Sequence, residues 1–169
     1  KITDTAQAQR FLQAPLTGMH EPELLPGMAQ AVERLCAAVQ DQRKICIYGD
    51  YDVDGVTGTA VLVTCLKILG AQVDFHVPDR LEEGYGLNNH TLRRLAESGV
   101  KTVVTVDCGI ASSAEADEAR RLGLELIVTD HHEFKAILPA ADVLVHPRLP
   151  AGSNGLAYPF GGLSGSGVA

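Results

Sequence analysis

The sequence predicts an α/β fold built on a parallel sheet with crossover helices, and three features predict it. From Lys44 onward, short β-rich runs alternate with helix-like segments, the pattern of repeated strand-helix units. Two of the runs, Lys101–Val106 and Leu124–Val128, are β-rich and more continuously apolar than the alternating run Gln72–Val77, as strands covered on both faces should be. With 169 residues and 46% apolar composition, the chain can bury one substantial core, so a single globular unit is expected.

The first forty or so residues read as helical. Met28, Val32, Leu35 and Val39 recur at helical spacing with Pro26 just ahead of them, and this lead-in carries no visible chemistry. Lys44–Tyr48 reads as the first strand, and an apolar helix follows from about Thr59 to Leu69. Gln72–Val77 alternates, with Val73, Phe75 and Val77 on one face and Gln72, Asp74 and His76 on the other; such a strand suits a sheet edge. Lys101–Val106 and Leu124–Val128 supply the third and fourth strands. Between them Ser112-Ser113-Ala114-Glu115 has the form of a capping box opening a helix that runs to Leu122, with Gly123 as its stop. A fifth strand is expected at Asp142–Val145, closed by His146-Pro147, and the Gly- and Pro-rich Arg148–Ala169 reads as loop.

Charge and composition narrow the function. Lys and Arg number 14 against 21 Asp and Glu, a formal net charge of −7, which is the wrong sign for holding nucleic acid by charge alone. A polyanionic substrate would need bound cations, or basic groups elsewhere. Cys36, Cys46, Cys65 and Cys108 show no CxxC spacing, and three of them lie in apolar runs, so buried thiols in a reducing compartment are expected rather than disulfides or zinc ligands. There is no run of eighteen apolar residues and no export-signal pattern at the start, which leads us to expect a soluble, cytoplasmic protein with no membrane partner.

The acids are placed informatively. Asp50, Asp52 and Asp54 follow the first strand, Asp107 ends the third, and Asp130-His131-His132 ends the fourth. In an open α/β sheet the ligand crevice lies outside the carboxyl ends of the strands, so five carboxylates and two imidazoles should converge there. Like charges a few ångströms apart in a partly dry cleft raise one another's pKa and oppose folding. Multivalent cations relieve the conflict; carboxylates with imidazoles and no thiolate suit Mn²⁺ or Mg²⁺, with Zn²⁺ a third candidate, and the donors suffice for two ions sharing a bridging carboxylate. A two-metal site of that kind most often hydrolyses phosphoesters. Gly55-Val56-Thr57-Gly58-Thr59 makes a glycine-bearing turn into a helix, and Gly55, Thr57 and Gly58 could contact a phosphate oxygen. Those glycines could equally serve tight strand-to-helix packing.

Three blander readings compete. Asp50–Gly55 matches the first half of an EF-hand loop, but the twelfth position, where a bidentate Glu is required, is Val61. Asp52-Val53-Asp54-Gly55-Val56 resembles the nucleophile motif of haloacid-dehalogenase phosphatases, a scheme that gives Asp50, Asp107 and the Asp130 triplet no clear task. Acids at strand ends can also be plain helix N-caps, as Asp130 could be. Seven titratable groups at three neighbouring strand ends exceed what capping needs. His20, His76, His90 and His146 lie apart from this cluster and are expected to be exposed or locally bonded.

Ile47–Gly55, Thr105–Ile110 and Val128–His132 resemble, in order and spacing, motifs I and II and the signature triplet of the DHH phosphoesterase family. Arg80–Asn88, with the lead-in Leu24–Met28 and Ala31–Arg34, is similar to the family's single-strand-specific DNA exonuclease branch, and Tyr158–Phe160 and Leu163–Ala169 resemble the loop after its fifth strand. The resemblance implies a three-layer α/β/α fold with a five-stranded parallel sheet of order 2-1-3-4-5, residues 1–43 forming a helical lead-in and residues 44–169 the catalytic domain. It implies metal-ligand roles for Asp52, Asp54, Asp107 and His131, with Asp107 bridging and Asp50 a further acid in or near the metal shell. His132 is implied as the phosphate-facing catalytic histidine and Asp130 as the group that orients its neighbours. Two Mn²⁺ or Mg²⁺ ions, single-stranded DNA, 5′ to 3′ digestion, and helicase or single-strand-binding partners in recombination and repair follow from the same resemblance. Relatives carry a further metal-binding Asp and a second domain with a glycine-rich motif that helps bind nucleic acid, both beyond the point matching Ala169, so this span by itself is expected to hold metal incompletely and to be weak or inactive. A silent scaffold that binds DNA or replication partners, or a phosphodiesterase for short oligonucleotides or cyclic dinucleotides, are the alternatives.

Overall fold

The computed structural model describes residues 2–14, 16–134, 136–150 and 157–169. Five parallel strands, β1 (Ile45–Tyr48), β2 (Val73–His76), β3 (Thr102–Val106), β4 (Glu125–Thr129) and β5 (Val143–Val145), form one sheet of order β2-β1-β3-β4-β5. Helices α1 (Thr5–Gln13), α2 (Met28–Gln40), α3 (Val53–Ile68), α4 (Asn89–Glu97), α5 (Ser113–Arg121) and α6 (Gly165–Val168) accompany it. Alternate residues of each strand serve opposite faces. Ile45, Ile47, Val104, Val106, Ile127, Val143 and Val145 pack with residues of α2, α3 and α6. Cys46, Tyr48, Val103, Leu126 and Val128 pack with Leu92 of α4 and Ala116 and Ala119 of α5. The result is a three-layer α/β/α sandwich. No helix among the described residues is long and apolar enough to cross a membrane.

Several local expectations change. The helical lead-in is two helices joined by short 3₁₀ turns, and α1 buries none of its residues. In α2 the inward face is Ala31 and Ala38 flanked by Met28, Leu35 and Val39, whereas Val32 is exposed. Small residues face inward because α2 starts hard against the sheet: Gly27, at φ +82°, lies where a Cβ would meet the Leu144 carbonyl oxygen of β5 at 2.0 Å. Gly27→Ala combines a left-handed backbone with a backbone collision, and we expect a loss of about 3 kcal/mol in urea unfolding; an unchanged midpoint would contradict this packing.

Helix α3 begins at Val53 rather than near Thr59, because Asp52 caps it by accepting from the amides of Asp54 and Gly55, each at 3.0 Å. The capping box at Ser112 does not form; Ser112 is the N-cap residue but makes no side-chain cap bond. Gly123, at φ +70°, does end α5. Strand β2 is an edge strand, yet Phe75 on its apolar face is exposed while His76 is half-buried against Tyr48. Cys46 and Cys108 are buried, whereas Cys36 and Cys65 sit on outer faces of α2 and α3 and are exposed. Part of Arg148–Ala169 lies outside the described residues, and its end forms α6 rather than loop.

Candidate active site

The carboxyl ends of β1, β3 and β4 lie side by side, and each delivers acids to one cleft. After β1 the chain turns sharply into α3, bringing Asp50 beneath the helix start. Gly55 permits this approach, since a Cβ there would lie 2.6–2.7 Å from Asp50 backbone and Cβ atoms. Asp50 is 2% exposed and its Oδ1 has no hydrogen-bond partner; burial pushes its pKa upward. Asp52 stays exposed at the head of α3. Within the first turn of α3, Asp54 accepts from the backbone amides of Gly165 through Oδ2 and Ser166 through Oδ1, both at 2.7 Å. Burial opposes the charge on Asp54, but those two residues, together with nearby His131, outweigh it and hold the pKa below the usual value.

Asp107 ends β3 in the left-handed region at φ +63°, a conformation that Asp tolerates better than most residues. It is 1% exposed, and Oδ1 has no hydrogen-bond partner. His131 Nε2 lies 3.0 Å from that oxygen and 3.7 Å from Asp54 Oδ2. The 3.0 Å approach is misaligned for a hydrogen bond, so a ring nitrogen and a carboxylate oxygen crowd together without satisfying each other. Burial, then the negative charges of Asp54 and Asp52, push the Asp107 carboxyl up to about 6, against the opposing pull of His132 and His131.

Asp130 plays a different part. Its Oδ2 accepts from the Ile110 amide at 2.9 Å, and its Oδ1 from the amides of His131 (2.7 Å) and His132 (3.1 Å) and from His132 Nδ1 (2.8 Å). A buried carboxylate so engaged has little left for an ion and instead fixes the two histidines. The bond from Nδ1 leaves His132 Nε2 open to the cleft. Burial works against the charged form of His132, but Asp130, Asp107 and Asp50 raise its pKa overall.

Of the residues singled out by sequence, Asp107, His131 and His132 bring one potential ligand atom each within 4.8 Å of one another, and so do Asp50, Asp52 and Asp107. Asp54 adjoins both sets through His131. Gly55, Thr57 and Gly58 do not offer a phosphate site: the Gly55 amide serves Asp52, Thr57 and Gly58 lie inside α3, and the Thr57 hydroxyl donates to the Val53 carbonyl at 2.6 Å. Gly58 instead lets α3 approach Val106 and Ser166.

Other participants lie outside the sequence reading. His146, fully buried, lies with Nε2 2.9 Å from the His132 carbonyl while its Nδ1 accepts from the Arg148 amide at 3.1 Å; burial lowers its pKa, in keeping with a neutral ring. Arg148 also bonds the His131 carbonyl and Glu133. Tyr85 donates from its hydroxyl to the Asp107 carbonyl at 3.3 Å, its ring stands edge-on to Tyr51, and Arg80 lies over Tyr51 at 5.3 Å. His146 had a usable signal, because it too follows the carboxyl end of a parallel strand. Gly165 and Ser166 had none beyond a glycine-rich composition.

This fold and this cluster are those of a DHH domain: residues 44–169 match the DHH family, N-terminal domain, and the chain belongs to that family. It is 47% identical over 167 residues to the single-stranded-DNA-specific exonuclease RecJ of Bacillus subtilis, covering 98% of this chain and 21% of the relative. With RecJ of Escherichia coli the identity is 39% over 159 residues, covering 94% of this chain and 27% of the relative. A crystal structure of exonuclease RecJ bound to manganese superposes with a TM-score of 0.77 at 39% identity, over 89% of this chain and 37% of that one. The chain thus spans roughly a quarter of the length of these curated relatives.

Proposed function

We propose that this chain carries the phosphodiesterase site of a single-strand-specific DNA exonuclease. The observation that bears most of the weight is the pair of buried carboxylate oxygens, on Asp50 and Asp107, that lack any hydrogen-bond partner. Leaving such acceptors unmet costs on the order of 1–3 kcal/mol each, and oxygen donors beside one imidazole fit hard divalent cations such as Mn²⁺ or Mg²⁺. Asp52, Asp54, Asp107 and His131, with Asp50 nearby, would hold two such ions. When bound, they supply an activated water and offset charge on the leaving oxygen.

The chain's own residues account for the rest. Amides 165 and 166 keep Asp54 ionised beside Asp107. Asp130 presents His132 with its free nitrogen toward the cleft, where a raised pKa suits it to stabilise a phosphoryl oxygen or to give up a proton. Tyr51, Tyr85 and Arg80 form an aromatic and cationic rim of the sort on which unpaired bases stack, which favours a single strand over a duplex despite the net charge of −7. The RecJ relatives support the same substrate. Digestion from the 5′ end, a cytoplasmic role in recombination and repair, and helicase or single-strand-binding partners complete the reading, with residues 1–43 as lead-in to the catalytic domain.

The test is a Mn²⁺ titration with a parallel cleavage assay on end-labelled single strands and duplexes, using this chain and a version extended to its relatives' length. We expect Mn²⁺ binding by both, and shortening of single strands by the longer protein that EDTA abolishes. Metal-bound protein that retains strands without shortening them would point to a scaffold instead.

A further inference from the structure

We infer that Glu83 and His76 are positioning residues for this site, acting on it through Tyr85; the inference rests on the phosphodiesterase reading. The segment joining β2 to α4 is held at only a few points. Asp79 closes a turn by accepting from the amides of Leu81 at 2.8 Å and Glu82 at 3.2 Å, and the tip faces solvent, with Leu81 94% exposed. Gly84 and Gly86 follow, both at φ +80°, so the backbone here has little intrinsic preference for one path.

Three contacts fix that path, one of them from Asn88 Nδ2, which donates to the Glu83 carbonyl at 3.4 Å. The Glu83 carboxylate reaches back to the sheet, with Oε2 2.8 Å from His76 Nε2 and 3.3 Å from the Thr91 hydroxyl on α4. His76 is itself held, by Arg94 at 3.4 Å from its other ring nitrogen and by the Tyr48 ring at 5.0 Å. Three residues on, the Gly86 carbonyl accepts from the Tyr48 hydroxyl at 3.1 Å. Tyr85 lies between these anchors. Its hydroxyl donates to the carbonyl of Asp107, the cluster residue with the left-handed backbone, and lies 3.4 Å from His132 Nδ1, with the two rings edge-on at 6.0 Å. Glu83 and His76 make no hydrogen bond to any acid of the cluster, so their route to it runs through Tyr85. Without the clamp the loop keeps its turn at Asp79 but loses its tie to β2, and Tyr85 no longer braces the Asp107 peptide and the His132 ring.

The experiment compares Glu83→Ala, Glu83→Gln, Tyr85→Phe and the Glu83→Ala/Tyr85→Phe double variant by hydrogen exchange, imidazole nitrogen NMR and single-strand cleavage. Glu83→Ala should speed amide exchange at residues 84–86 about tenfold or more, shift the His132 ring resonances, and lower kcat about tenfold. Tyr85→Phe should shift the same resonances, and the double variant should lose no more than the worse single one, since both act along one path. Glu83→Gln, which keeps an acceptor oxygen for His76 and Thr91, should recover most of the loss; should the alanine variant not fold, His76→Leu, which removes the same tie from β2, carries the test with the same expected changes. Unmoved His132 resonances in Glu83→Ala, or in His76→Leu where it stands in, or fully multiplicative losses in the double variant, would overturn the inference. Failure of the phosphodiesterase reading would look different: no metal-dependent cleavage by the unaltered protein, with the exchange and resonance changes still present.

Discussion

Asp107→Asn is expected to reduce metal-dependent cleavage by about 10³-fold or more while making the metal-free protein more stable at neutral pH. Asparagine keeps the shape of the side chain and tolerates the left-handed backbone at φ +63°, so the fold has no reason to change. What disappears is the charge at the centre of the cluster. The Asp107 carboxyl is raised to about 6, above its unfolded value, so the native state retains a proton that the unfolded chain has released. Its contribution to stability is therefore complete below about pH 4 and is lost as pH rises through about 6. By neutral pH the loss is on the order of 2 kcal/mol for this group. His132, also raised, adds a decline of the same sign above its own unfolded value. Thermal melts in EDTA should show the unaltered protein weakening across that window, Asp107→Asn weakening less, and Mn²⁺ removing most of the difference in slope. A variant that melts lower than the parent near neutral pH, or that keeps cleavage within about tenfold, contradicts the placement of this charge.

Gly165→Ala should be nearly as damaging from the other side of the cleft. A Cβ at this position would lie 2.4 Å from Asp107 Oδ1 and 2.5 Å from its Cγ, and Asp107 cannot swing aside because it is buried at the end of β3. The segment bearing α6 must then lift, which breaks the two 2.7 Å bonds that orient Asp54. We expect about 1–3 kcal/mol of destabilisation and a Mn²⁺ affinity lower by about 10–100-fold, read by calorimetry. Gly167→Ala is the control, since its Cβ would meet nothing nearer than the end of the Leu163 side chain at 3.3 Å and the Ser164 hydroxyl at 3.5 Å. Equal affinities for the two variants would show that the Gly165 contact does not matter.

The sheet was legible because its central strands are apolar on both faces, and the cleft because parallel strands all end on one side. What stayed hidden had physical causes. The start of α3 is disguised because Asp52, Asp54 and Gly55 are poor helix formers, and only the capping geometry of Asp52 makes a helix there. Ala31 and Ala38 carry no hydrophobic weight in a periodicity count, yet α2 buries them because it sits so close to β5. His76 and His146 stand outside the acidic motifs, and the fold brings them partners such as Glu83 and the His132 carbonyl that no sequence pattern marks. The amides that hold Asp54 come from 111 and 112 positions away, a distance no local pattern spans.

That last separation has a kinetic consequence. Pairing β1 with β3 closes a long loop, and the bonds to Asp54 close a longer one, so the cluster is completed only after most of the sheet has been built. Contacts that form after the rate-limiting barrier leave the speed of folding almost untouched and appear instead as slower escape from the native state. Ions gathered by this cleft would thus lengthen the lifetime of the finished molecule without guiding its assembly.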